Sequence, residues 1–308
     1  MATESRIQLQ EHGSEVHFSM RVSIQRLLLS FASLAIFASA FSTSAHRVSA
    51  ASTTDVPIIN NQALRSKAEQ LFALNNQARA AQGVAVLGWD PALAAAAMNH
   101  CTRVAAEGQL SHQYRGEPEL TERAAQAGAH FSYIEENVAE GYETESLHQA
   151  WMHSQGHREN LLNPRVNRVG IAVVARGDML YAVAVFGHAV EVLTPDQVEA
   201  KVSNLMQSTG VAAHGNSAGA RLACAQDHGL PVSLDNRRPE FIMRWQDAGL
   251  ERLPGALMDR IATGRYHDAA VGSCPSQTPE TTFTVYRVAV LLLRPEPAAP
   301  RTMISSSR

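Results

Sequence analysis

The chain has 308 residues, 45% of them hydrophobic and 18% charged, with a formal net charge of -3. That balance belongs to a folded globular protein of about two domains and excludes a disordered polar chain. It gives no sign of an electrostatic grip on nucleic acid or an anionic membrane, and three cysteines are too few for a disulfide-built scaffold.

Residues 1–50 read as an N-terminal extension and signal peptide. Arg21 and Arg26 precede the apolar run Leu27 to Phe41, which is short for a membrane span of about 20 residues. A basic start, a short apolar core and small residues after it make an export signal, with Val48-Ser49-Ala50 and Thr43-Ser44-Ala45 as cleavage sites. The first nineteen residues are too polar for such a signal, and Met20 is an alternative start. The mature chain is therefore expected to be secreted or periplasmic, with no permanent membrane span. Residues 51–61 read as a linker.

The first domain is expected at 62–192. A helix runs from about Ala63 to Ala81, with Leu64, Ala68, Leu71 and Phe72 on one stripe. Gly83 supplies the left-handed stop. Asp90-Pro91 starts an alanine-rich helix that ends at Gly108. Short helices follow over Glu117 to Gln126 and Glu145 to His153, the latter capped by Thr144. The period then changes. Val166 to Ala175 and Met179 to Phe186 form a hairpin around Arg176-Gly177-Asp178, apolar on both faces and so covered on both sides. Helices followed by buried antiparallel strands give an α+β layered domain.

A smaller α+β domain is expected at 193–294. Pro195 to Gln207, Ala218 to Gln226 and Pro254 to Thr263 read as helices. Phe241 to Trp245 and Thr282 to Leu293 read as strands. No catalytic motif and no repeat of the first domain is visible there. The apolar end of the last strand and the unspaced junction Val190 to Pro195 predict that this domain packs against the first. Residues 295–308 read as a Pro-rich, flexible tail. Cys101, mid-helix, reads as a buried free thiol, and Cys224 and Cys274 as the candidate pair in an oxidising compartment, the alternative being that both stay reduced.

Four stretches occur in order. They are Leu74 to Arg79 with Leu87-Gly88-Trp89-Asp90, then Leu110-Ser111-His112, then Glu135 to Gly141, and then Trp151 to Pro164 with Val169-Gly170. Together they resemble the CAP superfamily (cysteine-rich secretory proteins, antigen 5 and pathogenesis-related proteins) in its bacterial SCP form, over roughly Gln62 to Val190. The resemblance implies a three-layer α/β/α sandwich with a shallow cleft where His112, Glu136 and His157 meet. Two departures stand out: Ser154 occupies the place of a second Glu in many relatives, and Glu135 replaces a usual Gly, which affects local backbone shape or charge.

Neutral imidazoles are metal ligands, and a nearby carboxylate can orient them or act as a base. His112 and His157 are thus candidate ligands for a weakly bound divalent metal such as zinc, with affinity falling below about pH 6.5. Glu136 is the catalytic candidate if the protein is an enzyme. His100, His148, His153 and His188 read as surface or packing residues, and Asn137 and Arg158 as ties between loops. Three function classes follow. One is an extracellular binding module for a small apolar or cell-envelope ligand or a protein. The second is a metal-assisted hydrolase, and the third a surface interaction protein using the second domain. No H-E-x-x-H or G-x-S-x-G signature favours the hydrolase, so the binding reading leads.

Overall fold

The structure, a computed structural model, describes residues 58–215, 217–234, 237–275 and 282–294. The expected export signal, most of the expected linker and the tail after Arg294 lie outside the described residues. Among the described residues no helix is long and apolar enough to cross a membrane.

Helix α1 spans Ile58–Ala81 and is followed by β1, Gly88–Trp89. Helix α2, Pro91–Glu107, is capped by Asp90, whose carboxylate accepts from the amides of Ala92 and Leu93. Gly108 closes it with a φ of 71°, the left-handed position that favours glycine. Helix α3 is Leu120–Gln126, and strand β2, Phe131–Gly141, follows. Helices α4, Thr144–His153, and α5, Gln155–Leu161, precede the hairpin β3, Arg168–Arg176, and β4, Met179–Ala189. Thr144 is the first residue of α4 rather than its cap; that place falls to Glu143, whose amide donates to Ser146 Oγ.

The strands form a sheet in the order β1-β3-β4-β2, with β1 parallel to β3 and the others antiparallel. One face buries Val169, Ile171, Val173 and Phe186 under α1, α4 and α5, with Leu71, Trp151 and Leu161 from the helices. The other face buries Ala172, Val183 and Val185 under α2 and α3. Both faces of the hairpin are therefore dry, as its continuous apolar sequence requires, and the layers are α/β/α. Arg79 fastens α1 to the far end of this unit. It is fully buried and donates to the carbonyls of Ala85, Leu161, Asn163 and Val166.

The C-terminal part is a second α+β unit. It comprises α6, Pro195–Gln207; β5, Ala212–His214; α7, Ala218–Ala225; β6, Pro239–Asp247; α8, Gly255–Ile261; β7, Asp268–Cys274; and β8, Tyr286–Leu293. Its sheet runs β5-β7-β8-β6, with β5 parallel to β7 and the others antiparallel. This is the layout of the first sheet. Helices α6 and α8 cover one face, as α1 and α4 do, and α7 covers the other, as α2 does. Among the described residues only α3 and α5 have no counterpart. The sequence shows no repeat because the likeness resides in connectivity and in a few steric positions.

The clearest of those positions are two glycines. A Cβ at Gly170 would lie 1.9 Å from the amide nitrogen of Ala94, and one at Gly272 would lie 2.3 Å from the carbonyl carbon of Ala220. In both cases the strand meets the helix backbone three to four residues past its cap, Asp90 for α2 and Ser217 for α7. From there the pairing runs across each sheet in step, Gly170 to Val185 to Glu136 in the first and Gly272 to Ala289 to Arg244 in the second.

Cys224 and Cys274 form a disulfide with Cα atoms 5.8 Å apart, joining α7 to β7. Cys101 is a buried free thiol that donates to the carbonyl of Tyr181, and burial pushes its pKa up to about 12. The apolar end of β8 does not lean on the first unit. Leu291 and Leu293 are buried under α7 of their own unit. Contacts between the units run through the approach to β8. Phe283 stacks edge-on against Phe131 at 5.5 Å, Thr284 donates to the Phe131 carbonyl at 2.8 Å, and His130 Nδ1 lies 3.3 Å from Thr284 Oγ1.

Because the obstructing atoms at Gly170 and Gly272 are backbone, they cannot rotate away. Gly170→Ala and Gly272→Ala should each destabilise the protein by about 1–3 kcal/mol or more. Urea denaturation checks this; Gly177→Ala, with open space around it but a φ of 59°, is the control for backbone strain alone. Reduction of Cys224–Cys274, which spans 50 residues of chain, should cost about 2–4 kcal/mol, read from the melting temperature with and without reductant.

Candidate functional site

Strand β2 carries Glu135, Glu136 and Asn137 in succession, and alternation sends Glu136 to the α2 side of the sheet. Its side chain is 2% exposed. Three cationic or polarisable groups surround it. Arg123 of α3 donates to Oε2 at 2.7 Å, His112 Nδ1 donates to Oε1 at 3.0 Å, and His100 Nε2 lies 3.6 Å from Oε1. A buried carboxylate needs such partners, since desolvating an unpaired charge is very costly.

The loop that bears His112 is held from below. His100, fully buried on α2, has Nδ1 2.7 Å from Glu117 Oε1 and Nε2 3.0 Å from the Ser111 carbonyl. Glu117 also accepts from the Tyr114 amide at 3.0 Å, and Arg123 donates to the carbonyls of His112 and Pro118. His157 comes from α5 on the other side. Its carbonyl accepts from Asn137 Nδ2 at 2.8 Å, and Asn160 ties Asn137 Oδ1 and the Glu136 carbonyl to the same helix.

The three sequence candidates thus come together. The rings of His112 and His157 are 6.1 Å apart, His112 is 60% exposed, and His157 is half-buried. Glu136 lies beneath them rather than beside them. With Nδ1 of His112 bound to Glu136, its Nε2 is the nitrogen left to face a ligand. Burial, reinforced by the neighbouring His112, holds the His157 imidazole below its ordinary pKa. Its neutral form therefore persists to lower pH than the reference value near 6.5 implies. Ser154 sits at the junction of α4 and α5 and brings no charge.

A zinc ion with three protein ligands does not fit this set. Both oxygens of Glu136 are engaged, and two imidazoles remain. Among the described residues no group of three or more His, Cys, Asp or Glu is arranged to hold a metal ion.

Glu135 does not disturb the strand, which pairs with β4 through it. It points to the opposite face, where Tyr133 Oη and Asn163 Nδ2 donate to Oε2 at 2.8 and 3.1 Å. Burial pushes its carboxyl above the usual range. Of the other histidines, His148 is buried against Asn75, while His153 and His188 bond to backbone carbonyls. His100 is likewise a packing residue, but one buried inside the cluster beside Glu136. Sequence reasoning missed it, together with Glu117 and Arg123; an acidic or basic residue within such short elements carries no spacing signal by itself.

A second feature lies apart from the histidines. Leu64, Phe72, Trp89, Met98, Ile171 and Val173 line an apolar groove of about 990 Å³ between α1 and α2. It opens beside β3, where β1 covers the sheet edge only at Arg168 and Val169.

The family comparison agrees with this geometry. Residues 72–186 match the model of the cysteine-rich secretory protein family, CAP. The first unit is a CAP domain. Two proteins of Bacillus subtilis (strain 168) are similar to it. "Uncharacterized membrane protein YlbC" is 29% identical over 106 residues, 34% of this chain and 31% of that protein. "Uncharacterized protein YkwD" is 29% identical over 112 residues, 36% and 44% respectively. The chain thus spans less than half the length of either. Among solved structures, an extracellular SCP-domain protein from Bacillus anthracis str. Ames is 26% identical with a TM-score of 0.39, covering 41% of this chain and 42% of that one. An outer surface protein from Borrelia burgdorferi is 20% identical with a TM-score of 0.38, covering 40% and 93%. The CAP match takes in Glu136, His112 and His157, and ends before the second sheet begins.

Removing the His112 imidazole takes away one cause of the depressed His157 pKa. His112→Ala should therefore raise the titration midpoint of His157 toward the ordinary value, leaving it still low through burial. Imidazole proton chemical shifts followed over about pH 4–8 in the two proteins measure this; an unchanged or lowered midpoint would contradict the coupling.

Proposed function

We propose that the protein is an exported binding module whose CAP domain takes a small apolar or cell-envelope ligand. The observation that carries this reading is the groove between α1 and α2. Its volume, about 990 Å³, suits a lipid-sized molecule, and its walls are mainly aliphatic and aromatic. Phe72 meets Trp89 edge-to-face at 5.6 Å within it, which gives one wall a fixed shape. Trp89 is 39% exposed and Met98 41%, so apolar surface stands open to solvent there.

The His112/His157 pair is a separate polar cleft in this reading. It offers two imidazoles for a polar ligand group or a weak metal contact. The hydrolase alternative is weaker because Glu136, its catalytic candidate, is already bound by Arg123 and His112 and is not free to take a proton from water. Export rests on the N-terminal sequence pattern and on the extracellular character of the family.

Titration of the mature protein with a fluorescent fatty acid tests the proposal. Saturable binding is expected. Met98→Asp, at a half-open position of the groove wall, should weaken it at least tenfold by placing a charge against the chain of the ligand. The double variant His112→Ala/His157→Ala should bind as the parent does. Absence of saturable binding, or loss in the histidine variant with none in Met98→Asp, overturns the groove as the seat. Stoichiometric zinc that survives dialysis against a chelator would contradict the weak metal contact.

A further inference from the structure

The second sheet unit keeps the CAP layout without the cluster, so its surface chemistry must be sought elsewhere. The chain as a whole is acidic by three charges. Against that background four arginines, Arg238, Arg260, Arg265 and Arg294, line one groove of about 550 Å³. They come from the approach to β6, the end of α8, the turn after it and the exit from β8. Glu240 is the single carboxylate among the described residues lining the groove. It accepts from Arg294 at 2.6 Å and pairs with Arg265 at 3.5 Å. Four guanidiniums against one carboxylate leave three formal positive charges.

These side chains are partly fixed in place. Arg260 lies over the Phe241 ring at 5.2 Å and Arg265 over Tyr266 at 5.8 Å. The hydrogen bond from Arg294, with Arg265 and Arg238 nearby, holds the Glu240 carboxyl below its usual range. The rim adds an apolar tip. Leu230, Pro231 and Val232 border the same groove, with Val232 93% exposed and Leu230 41%. A soluble anion has no use for exposed aliphatic side chains, and water disfavours them. An interface with phosphate groups above and acyl chains below accommodates both features.

We propose that this groove and its 230–232 rim form a docking surface for an anionic phospholipid membrane. The arginines engage lipid phosphates, and Leu230 and Val232 enter the boundary between headgroups and chains. The contact is peripheral and salt-sensitive, because exposed charges are screened within about 10 Å at 0.1 M salt.

Co-sedimentation of the mature protein with vesicles tests it. Binding is expected to vesicles of phosphatidylglycerol mixed with phosphatidylcholine, not to phosphatidylcholine alone, and to fall as salt rises. Arg260→Gln/Arg265→Gln should weaken partition on the order of tenfold. Val232→Asp should weaken it comparably. All three positions are exposed, and an unchanged circular dichroism spectrum and melting temperature confirm that the variants fold. Equal binding to neutral vesicles, or variants that bind as the parent does, overturns the proposal. Saturable binding of inorganic pyrophosphate in calorimetry with no vesicle binding also overturns it and assigns the groove to a soluble anion.

Discussion

The depth at which one helix sits against its sheet sets the rest of this structure. Helix α2 approaches β3 so closely that the strand has no room for a side chain at Gly170. Close approach demands small residues on the helix as well, and Ala96 and Ala97 provide them, both essentially without solvent contact. The same helix carries His100 one turn further on. Because α2 is pressed onto the sheet, His100 is fully buried and reaches toward both Glu136 and the loop bearing His112. Steric packing at the start of the helix and the electrostatics at its middle are thus one arrangement.

The second unit obeys the same constraint at Gly272 and α7, yet its buried carboxylate stands elsewhere, at Glu199 of α6, paired with Arg221. The cross-sheet register explains how both can hold. The strand position of Glu136 is taken by Arg244, whose guanidinium donates to the carbonyls of Ala223 and Gly229. Arg123 and His157 belong to α3 and α5, the two helices with no counterpart in the second unit. The scaffold is therefore separable from the site: the shared layout supplies the strand on which Glu136 stands and the helix that carries His100, and the additional helices supply Arg123 and His157. Where Ala97 and Ala172 pack together in the first unit, the corresponding positions hold the disulfide of Cys224 and Cys274. Each lies at the same offset, seven residues past the helix cap and two past the glycine. A covalent link there secures a unit with fewer covering helices and a smaller core.

How much of this was legible in the sequence follows from the kind of signal each part leaves. The α2 start was legible because Asp90-Pro91 caps a helix by local chemistry alone, and the β3–β4 hairpin because both strands are continuously apolar around a glycine turn. Strand β2 was not. Its centre reads Glu135-Glu136-Asn137, which breaks any apolar alternation, and only tertiary partners make those residues tolerable in a sheet. Strand β7, Asp268–Cys274, is dominated by small residues and shows little β-propensity, since a close helix and a disulfide replace bulky packing. His112, Glu136 and His157 were found through the ordered motifs; their supports His100, Glu117 and Arg123 have no pattern of their own. The repeated layout was invisible because two glycines and a strand order leave almost no residue identity behind.

Glu136 also shows why a residue in a site need not be its reactive member. Its carboxylate and the Arg123 guanidinium form a pair that is almost wholly buried, 2% and 5% exposed. Such a pair is close to neutral in net stability, but removing one partner strands the other charge and costs about 3–5 kcal/mol. Arg123 further holds the carbonyls of His112 and Pro118, so an unpaired guanidinium would loosen the loop that presents His112. Loss of function on replacing Glu136 would therefore follow from structure alone, whether or not the carboxylate ever met a ligand. His112 stands differently, since its Nε2 carries none of the bonds that hold the loop and its side chain faces solvent. Of this cluster the His112 imidazole is the group left open to solvent, and the buried ion pair beneath it fixes where it points.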